Sequence, residues 1–337
     1  MVFFITFLRA VAACLITNAH YTDVYPLEII ANGGLIGDII FFAVSGYCLV
    51  SCKGNFAKWY GKRVWRIYLP VVLMTAIYMI LGFYSIAGNR GFIWWYLYPT
   101  YYHFIASIII LYIPFYIIMK IPQFKKRVPL IMAIIAGAYL LVYIIFYDKT
   151  YYHIDTVREP MIRFLFMESM LLGAYFKMND EKFRNKFSWI SLVMTVLCFG
   201  GYFASKMVFT KITSVSFLQI FNQLIVFAFL YFVFRLFAGM DARLEKMPKW
   251  VKGCITFVST ITLEIYLVQY VLIDLLRNVL PFPLNWLVLT AAIVAAAFVL
   301  HTVCRGIYFV VDLCIRKIIS ACKSRKESGK AEVTENK

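Results

Sequence analysis

The sequence encodes an all-α fold, a polytopic integral membrane bundle of about ten transmembrane helices. Three observations carry that reading. The chain of 337 residues is 63% hydrophobic and 15% charged, where soluble domains average about 45–50% and 25%. Stretches of about 17–25 mostly apolar residues, the length that crosses a bilayer as a helix, recur from end to end. The joints between them alternate between poor and rich in Lys and Arg, which is the positive-inside pattern.

The spans fall at about 2–21, 34–52, 67–86, 102–119, 128–147, 161–176, 187–205, 214–234, 253–275 and 286–313. Span one, FFITFLRAVAACLITNAH, is apolar except for Arg9, His20 and a few small polar residues, and no Lys or Arg follows it at 22–33. Span two carries Ser45-Gly46, a pair that lets a helix bend or a neighbour approach closely. It runs into a basic joint with Lys53, Lys58, Lys62, Arg63 and Arg66. Span three leads to an outer segment, 86–101, with one basic residue, Arg90. There Trp94, Trp95, Tyr96 and Tyr98 fit an interfacial aromatic belt, with a stacking platform for a sugar ring as the alternative. Span four opens on Tyr-Tyr-His103-Phe and ends at Lys120, Lys125, Lys126 and Arg127. Span five ends in an outer segment, 148–160, holding Asp148, His153, Asp155, Arg158 and Glu159.

Span six contains Glu168 and is followed by Lys177, Lys182, Arg184 and Lys186. Spans seven and eight are joined past Lys206 and Lys211. Arg235, Arg243, Lys246, Lys249 and Lys252 then precede span nine, which holds Glu264, Tyr266, Gln269 and Asp274. Span ten follows Arg277 and includes His301, read as a satisfied packing residue. Arg316, Lys317, Lys323, Arg325 and Lys326 close the chain. This alternation puts both termini in the cytoplasm. The expected organisation is a transmembrane domain over 1–318 and a basic, disordered cytoplasmic tail over 319–337, with no appended soluble catalytic domain. The expected location is the cell (plasma or inner) membrane, as a multi-pass protein.

The net charge of +17 therefore records topology and contact with anionic membrane lipids, and no nucleic-acid partner is expected. The eight cysteines form no CxxC pair and read as small buried hydrophobes, with neither a metal site nor a disulfide framework. Val11-Ala12-Ala13-Cys14 has the look of a lipoprotein processing site. Arg9, however, lies inside the apolar core, where a signal sequence would carry its charge before it.

Arg9 and His20 are the most informative residues. A cation and an imidazole are costly inside a span and mark a functional site by default. Eleven residues make about three turns, so both side chains project from nearly one helix face, about 16 Å apart. Near the outer end of its span, with Asn18, Asp23 and Glu28 close by, His20 suits proton transfer to and from a hydroxyl. Arg9 cannot lose its proton and needs an anion, carbonyls or a wet cavity; an ion pair with Glu168 or Glu264 is the plain structural alternative. In Lys62-Arg63-Val-Trp-Arg66, the two arginines are neighbours on one helix face. Guanidinium groups grip phosphate bidentately, so this inner cluster suits a nucleotide-like donor, against the plainer reading of an ordinary basic flank. Ser45 lacks the Gly-x-Ser-x-Gly frame of a hydrolase nucleophile. Ser45, Glu264, Gln269 and His103 are instead candidates to line a substrate path.

These segments together resemble the membrane-bound acyltransferase 3 family. FLRAVA at 7–12 through His20 is similar to its first-helix signature of Arg, ten residues, then His. FFAVSGYCLV at 41–50 resembles FFxxSGF, and KRVWRIYLP at 62–70 resembles RRxxRIYP. Weaker likenesses are His103-Phe-Ile-Ala, Leu172-Gly173-Ala and Glu264-Ile-Tyr266-Leu-Val-Gln269, in the family's order. The resemblance implies an O-acetyltransferase that moves acetyl from acetyl-CoA to a hydroxyl of a surface polysaccharide or other extracytoplasmic or lipid-linked glycan. It implies His20 as the catalytic histidine with Arg9 as its partner, and Lys62, Arg63 and Arg66 on the donor side. The departures are Thr6 where the family often has Asp, Leu69 between Tyr and Pro, and Gln269 at a late histidine. No esterase-like domain is expected after span ten. His20 as base or as transient acyl carrier, the acceptor, the acyl length and the oligomeric state stay open, and export of a glycan or lipid-linked intermediate is the rival function.

Overall fold

The computed structural model describes residues 2–86, 91–97, 102–156 and 160–335, with the side chains of 94, 97, 315, 316 and 318–335 outside the description. Arg90, Tyr98, Arg158 and Glu159 thus lie outside the described residues, as do the side chains of Trp94, Arg316, Lys323, Arg325 and Lys326. The main helices are α1 (Phe3–Ala19), α2 (Gly34–Leu49), α3 (Phe56–Ile80), α4 (His103–Lys120), α5 (Val128–Phe146), α6 (Ile162–Met178), α7 (Trp189–Lys211), α8 (Ile220–Gly239), α9 (Lys249–Thr260), α10 (Thr262–Leu276) and α11 (Leu284–Glu335). There is no strand among the described residues. Among the described residues seven helices are long and apolar enough to cross a membrane, or eight if the bent α9–α10 pair is one span. The fold is an all-α polytopic bundle.

Helices α1 and α6 have 17 residues each. Both are largely buried by their neighbours. Helix α2 lies between them. A Cβ at Gly46 would collide with the Met170 carbonyl, and one at Gly173 with the Ala43 carbonyl. The α2–α6 crossing is therefore backbone against backbone, as the Ser45-Gly46 pair suggests. Phe42 stacks on Phe166 beside it, ring centroids 4.2 Å apart.

The ninth span differs from expectation. A single helix over 253–275 is replaced by α9 and α10, which meet at 71° across Ile261. No Pro or Gly marks the break. Hydroxyls satisfy its loose ends: Thr260 Oγ1 donates to Thr256 O at 2.7 Å, and Thr262 Oγ1 to Ser259 O at 2.9 Å. Such back-bonding bends helices. Trp95 also departs from the expected belt. It is fully buried, stacks on Tyr84 at 4.4 Å, and donates through Nε1 to the Ser85 carbonyl. At the other end of the chain α11 is apolar as far as Cys314 and its backbone is helical to Glu335.

Two clasps fix α1. At its inner end Phe4 N–H donates to Asp241 Oδ1 at 2.8 Å, and Arg184 Nε donates to Asp241 Oδ2 at 2.9 Å. Arg184 also reaches Asp180, which accepts a bond from Tyr47 Oη at 2.7 Å. At its outer end Asn18 donates to the carbonyls of Ile30 and Asn32, and Asp23 pairs with Arg277.

Candidate active site

A cavity of about 680 Å³ opens at the inner end of the bundle between α1, α2, α3 and α4. Among the described residues its walls carry six cations, Arg9, Lys53, Lys58, Lys62, Arg63 and Arg66, and no Asp or Glu. Ser45, Cys48, Trp59 and Tyr112 complete much of the rest. The spacing of Arg63 and Arg66 on α3 puts both on the cavity side, together with Lys62. Arg63 is held firmly: its Nη1 donates to the Trp59 carbonyl at 2.7 Å, and its guanidinium lies 3.9 Å over the Trp59 ring. Trp59 is buried and set in turn by the rings of Tyr112 and Tyr116. The Arg63 Nε stays without a partner.

The start of α3 is shaped for the same purpose. Asn55 caps it, its side chain accepting from Lys58 N–H at 3.0 Å. Tyr116 Oη and Lys120 Nζ both donate to the Gly54 carbonyl. The positive end of the α3 dipole therefore reinforces the cationic rim. Lys53, Lys58, Trp59 and Tyr112 are cavity-lining residues that sequence reasoning did not single out. The available signal was the Asn55 cap, which places Lys53 and Lys58 around the first turn of α3.

Arg9 enters the cavity from α1. Its Nη2 lies 3.8 Å from Cys48 Sγ, and among the described residues no carboxylate comes within 4 Å of it. The expected alternative, an ion pair of Arg9 with Glu168 or Glu264, is therefore corrected. Glu264 Oε1 sits 2.8 Å from His301 Nδ1 on α11, and Glu168 Oε1 is buried without a partner. The pairing satisfies His301, as expected, and takes Glu264 to the α10–α11 seam. Ser45 lies with Arg9 in the cavity.

Beyond the cavity, a narrow space of about 20 Å³ lies along α1, enough for about one water. Ala13, Ile16 and Thr17 of α1 face Phe41, Phe104, Thr262, Ile265 and Tyr266 across it. Arg9, Ala13, Ile16 and His20 are spaced four, three and four residues apart, so they form one helix face. The inner cavity, the slot and His20 thus lie in sequence along that face. His20 caps α1, its backbone N–H donating to Thr17 O at 3.0 Å. Its half-buried ring meets Tyr270 edge-on, centroids 5.0 Å apart. Tyr266 and Tyr102 pack around Tyr270. His103 is the first residue of α4, beside the slot-lining Phe104. Gln269 is fully buried, and neither Nε2 nor Oε1 has a hydrogen-bond partner. Among the described residues no group of three or more His, Cys, Asp or Glu is placed to hold a metal ion.

A family model described as an acyltransferase domain matches residues 2–304, the bundle from α1 into α11. No curated protein and no solved structure matches the chain.

Proposed function

We propose, from the premise that the chain belongs to the acyltransferase 3 family of multi-pass membrane acyltransferases, that it is an O-acetyltransferase of the cell membrane. It takes acetyl from cytosolic acetyl-CoA and gives it to a hydroxyl of an extracytoplasmic or lipid-linked glycan. The observation that carries this reading is the cavity of six cations without a carboxylate, leading along one face of α1 to a histidine. A coenzyme with a diphosphate and a further phosphate matches such a surface, and arginine meets phosphate through two parallel bonds. Arg63 and Arg66 take the phosphates with Lys62, and Arg9 borders the path that the thioester arm follows. The slot is too tight for that arm at rest, so α1 and α10 must part for it to pass.

At the outer end His20 acts as the general base. It takes the proton of the acceptor hydroxyl as the oxygen attacks the thioester carbonyl carbon. A C–O bond forms, the C–S bond breaks, and the proton goes to the departing sulfur. Transient acylation of the imidazole is the other route open to the same residue. An export function would need Arg9, Glu168 and Glu264 along one path, and the pairing of Glu264 with His301 speaks against that.

The test is acetyl transfer from labelled acetyl-CoA to the surface glycan in membrane vesicles. His20→Ala is expected to abolish transfer, since loss of a general base alone costs about 10²–10⁴-fold. A folded His20→Ala protein that transfers at the wild-type rate overturns the mechanism.

A further inference from the structure

We infer that Gln269 holds the carbonyl oxygen of the acyl group during transfer, an assignment that rests on the acetyltransferase reading above. Gln269 is fully buried, yet both ends of its carboxamide lack a hydrogen-bond partner. A buried donor and acceptor left unmade are costly, and such groups are uncommon in native interiors. The position of this one explains it.

Two helical stripes face each other across the slot. On α1 it is Ala13, Ile16 and Thr17, and on α10 it is Thr262, Ile265 and Tyr266. One turn further outward, the α1 stripe continues to His20. The α10 stripe continues to Gln269, three residues beyond Tyr266 and seven beyond Thr262. Contact of His20 with the adjacent Tyr270 fixes both at the same level. An acyl group delivered through the slot therefore arrives with an imidazole on one side and an unused carboxamide on the other.

The chemistry needs that complement. When the hydroxyl proton passes to His20 and the new C–O bond forms, the carbonyl electron pair moves onto oxygen. Gln269 Nε2–H donates to that oxygen, and the bond strengthens as negative charge grows. Collapse restores the carbonyl, breaks the C–S bond and returns the proton to sulfur.

Gln269→Met keeps length and volume but removes donor and acceptor, and Gln269→Leu is a second apolar replacement should Met pack poorly. Both are tested in purified protein for acetyl transfer and for thermal unfolding. The expected result is a fall in kcat of about 100-fold, the loss on removing one oxyanion donor. KM for acetyl-CoA stays within about twofold, and the unfolding midpoint is equal to or above wild type. A lowered midpoint with activity falling in step marks a structural amide and overturns the inference, as does an unchanged kcat. If the wild-type protein itself transfers no acetyl from acetyl-CoA, the acetyltransferase reading fails and takes this assignment with it. Failure of the inference alone shows only in the variants.

Discussion

Two basic clusters lie at the inner end of the bundle, a few turns apart, and their electrostatics are opposite. Arg184 is satisfied on both sides, by Asp180 and by the buried Asp241. Asp241 in turn caps α1 through Phe4, and Asp180 holds Tyr47 of α2. This cluster is a staple. Arg9, Arg63 and Arg66, with Lys53, Lys58 and Lys62, share a cavity in which no carboxylate among the described residues answers them. Like charges held together lower stability, so an arrangement of this kind is retained where a mobile anion supplies the missing charge. The positive-inside rule accounts for cations at both places. Only the distribution of carboxylates separates the paired cluster from the one proposed to bind the donor.

That contrast breaks most readily at α3. In Arg63→Gln/Arg66→Gln, each substitution removes charge-assisted bonds worth about 1.5–3 kcal/mol. Even one such loss raises KM for acetyl-CoA by about 10–100-fold. No carboxylate among the described residues pairs with the cluster, so relief of like-charge repulsion offsets the lost Arg63–Trp59 contacts and the unfolding midpoint should stay close to wild type. KM comes from transfer rates against donor concentration, and the midpoint from thermal unfolding of the same preparation. An unchanged KM would return the arginines to the role of an ordinary basic flank.

The staple should answer in the opposite sense. Asp241→Ala uncaps the first turn of α1 and strands one side of Arg184. Arg184 is half-exposed, so water takes up part of the loss, and about 2 kcal/mol of stability is the expected cost. KM for acetyl-CoA should not move. A rise in KM without a fall in unfolding midpoint would mean that the staple belongs to the donor site, and the distinction between the clusters would dissolve.

How much of this was legible in sequence follows from the range of each interaction. The spans were legible because a bilayer sets one length for apolar helices. The Arg9–His20 face and the Arg63–Arg66 pair were legible because both depend only on helical periodicity. The recruitment of Trp59, Tyr112 and Lys53 to the cavity was not, since it depends on how α2, α3 and α4 converge. The break at Ile261 gave no Pro or Gly signal, and the hydroxyls of Thr260 and Thr262 bond backwards beside it. The pairing of Glu264 with His301 joins residues 37 apart in sequence. Gln269 was visible as a polar residue in a span, but its lack of partners is a property of the packed bundle alone.

The finest discrimination lies at the rim. Lys58 is exposed, and its backbone N–H, not its ammonium group, engages the Asn55 cap. Lys58→Gln therefore removes one cavity charge and leaves the cap intact. An exposed charge is worth little at physiological salt, so KM for acetyl-CoA should rise only about twofold. The effect should fade with added salt, because an ionic strength of about 1 M shortens the Debye length to about 3 Å. Measuring KM at low and high salt for wild type and variant separates two contributions. If the difference between them vanishes at high salt while both keep a cavity-dependent KM, the rim attracts the donor at long range and the arginines grip it. If the difference persists undiminished, Lys58 contacts the donor directly, and the boundary between rim and grip moves one turn along α3.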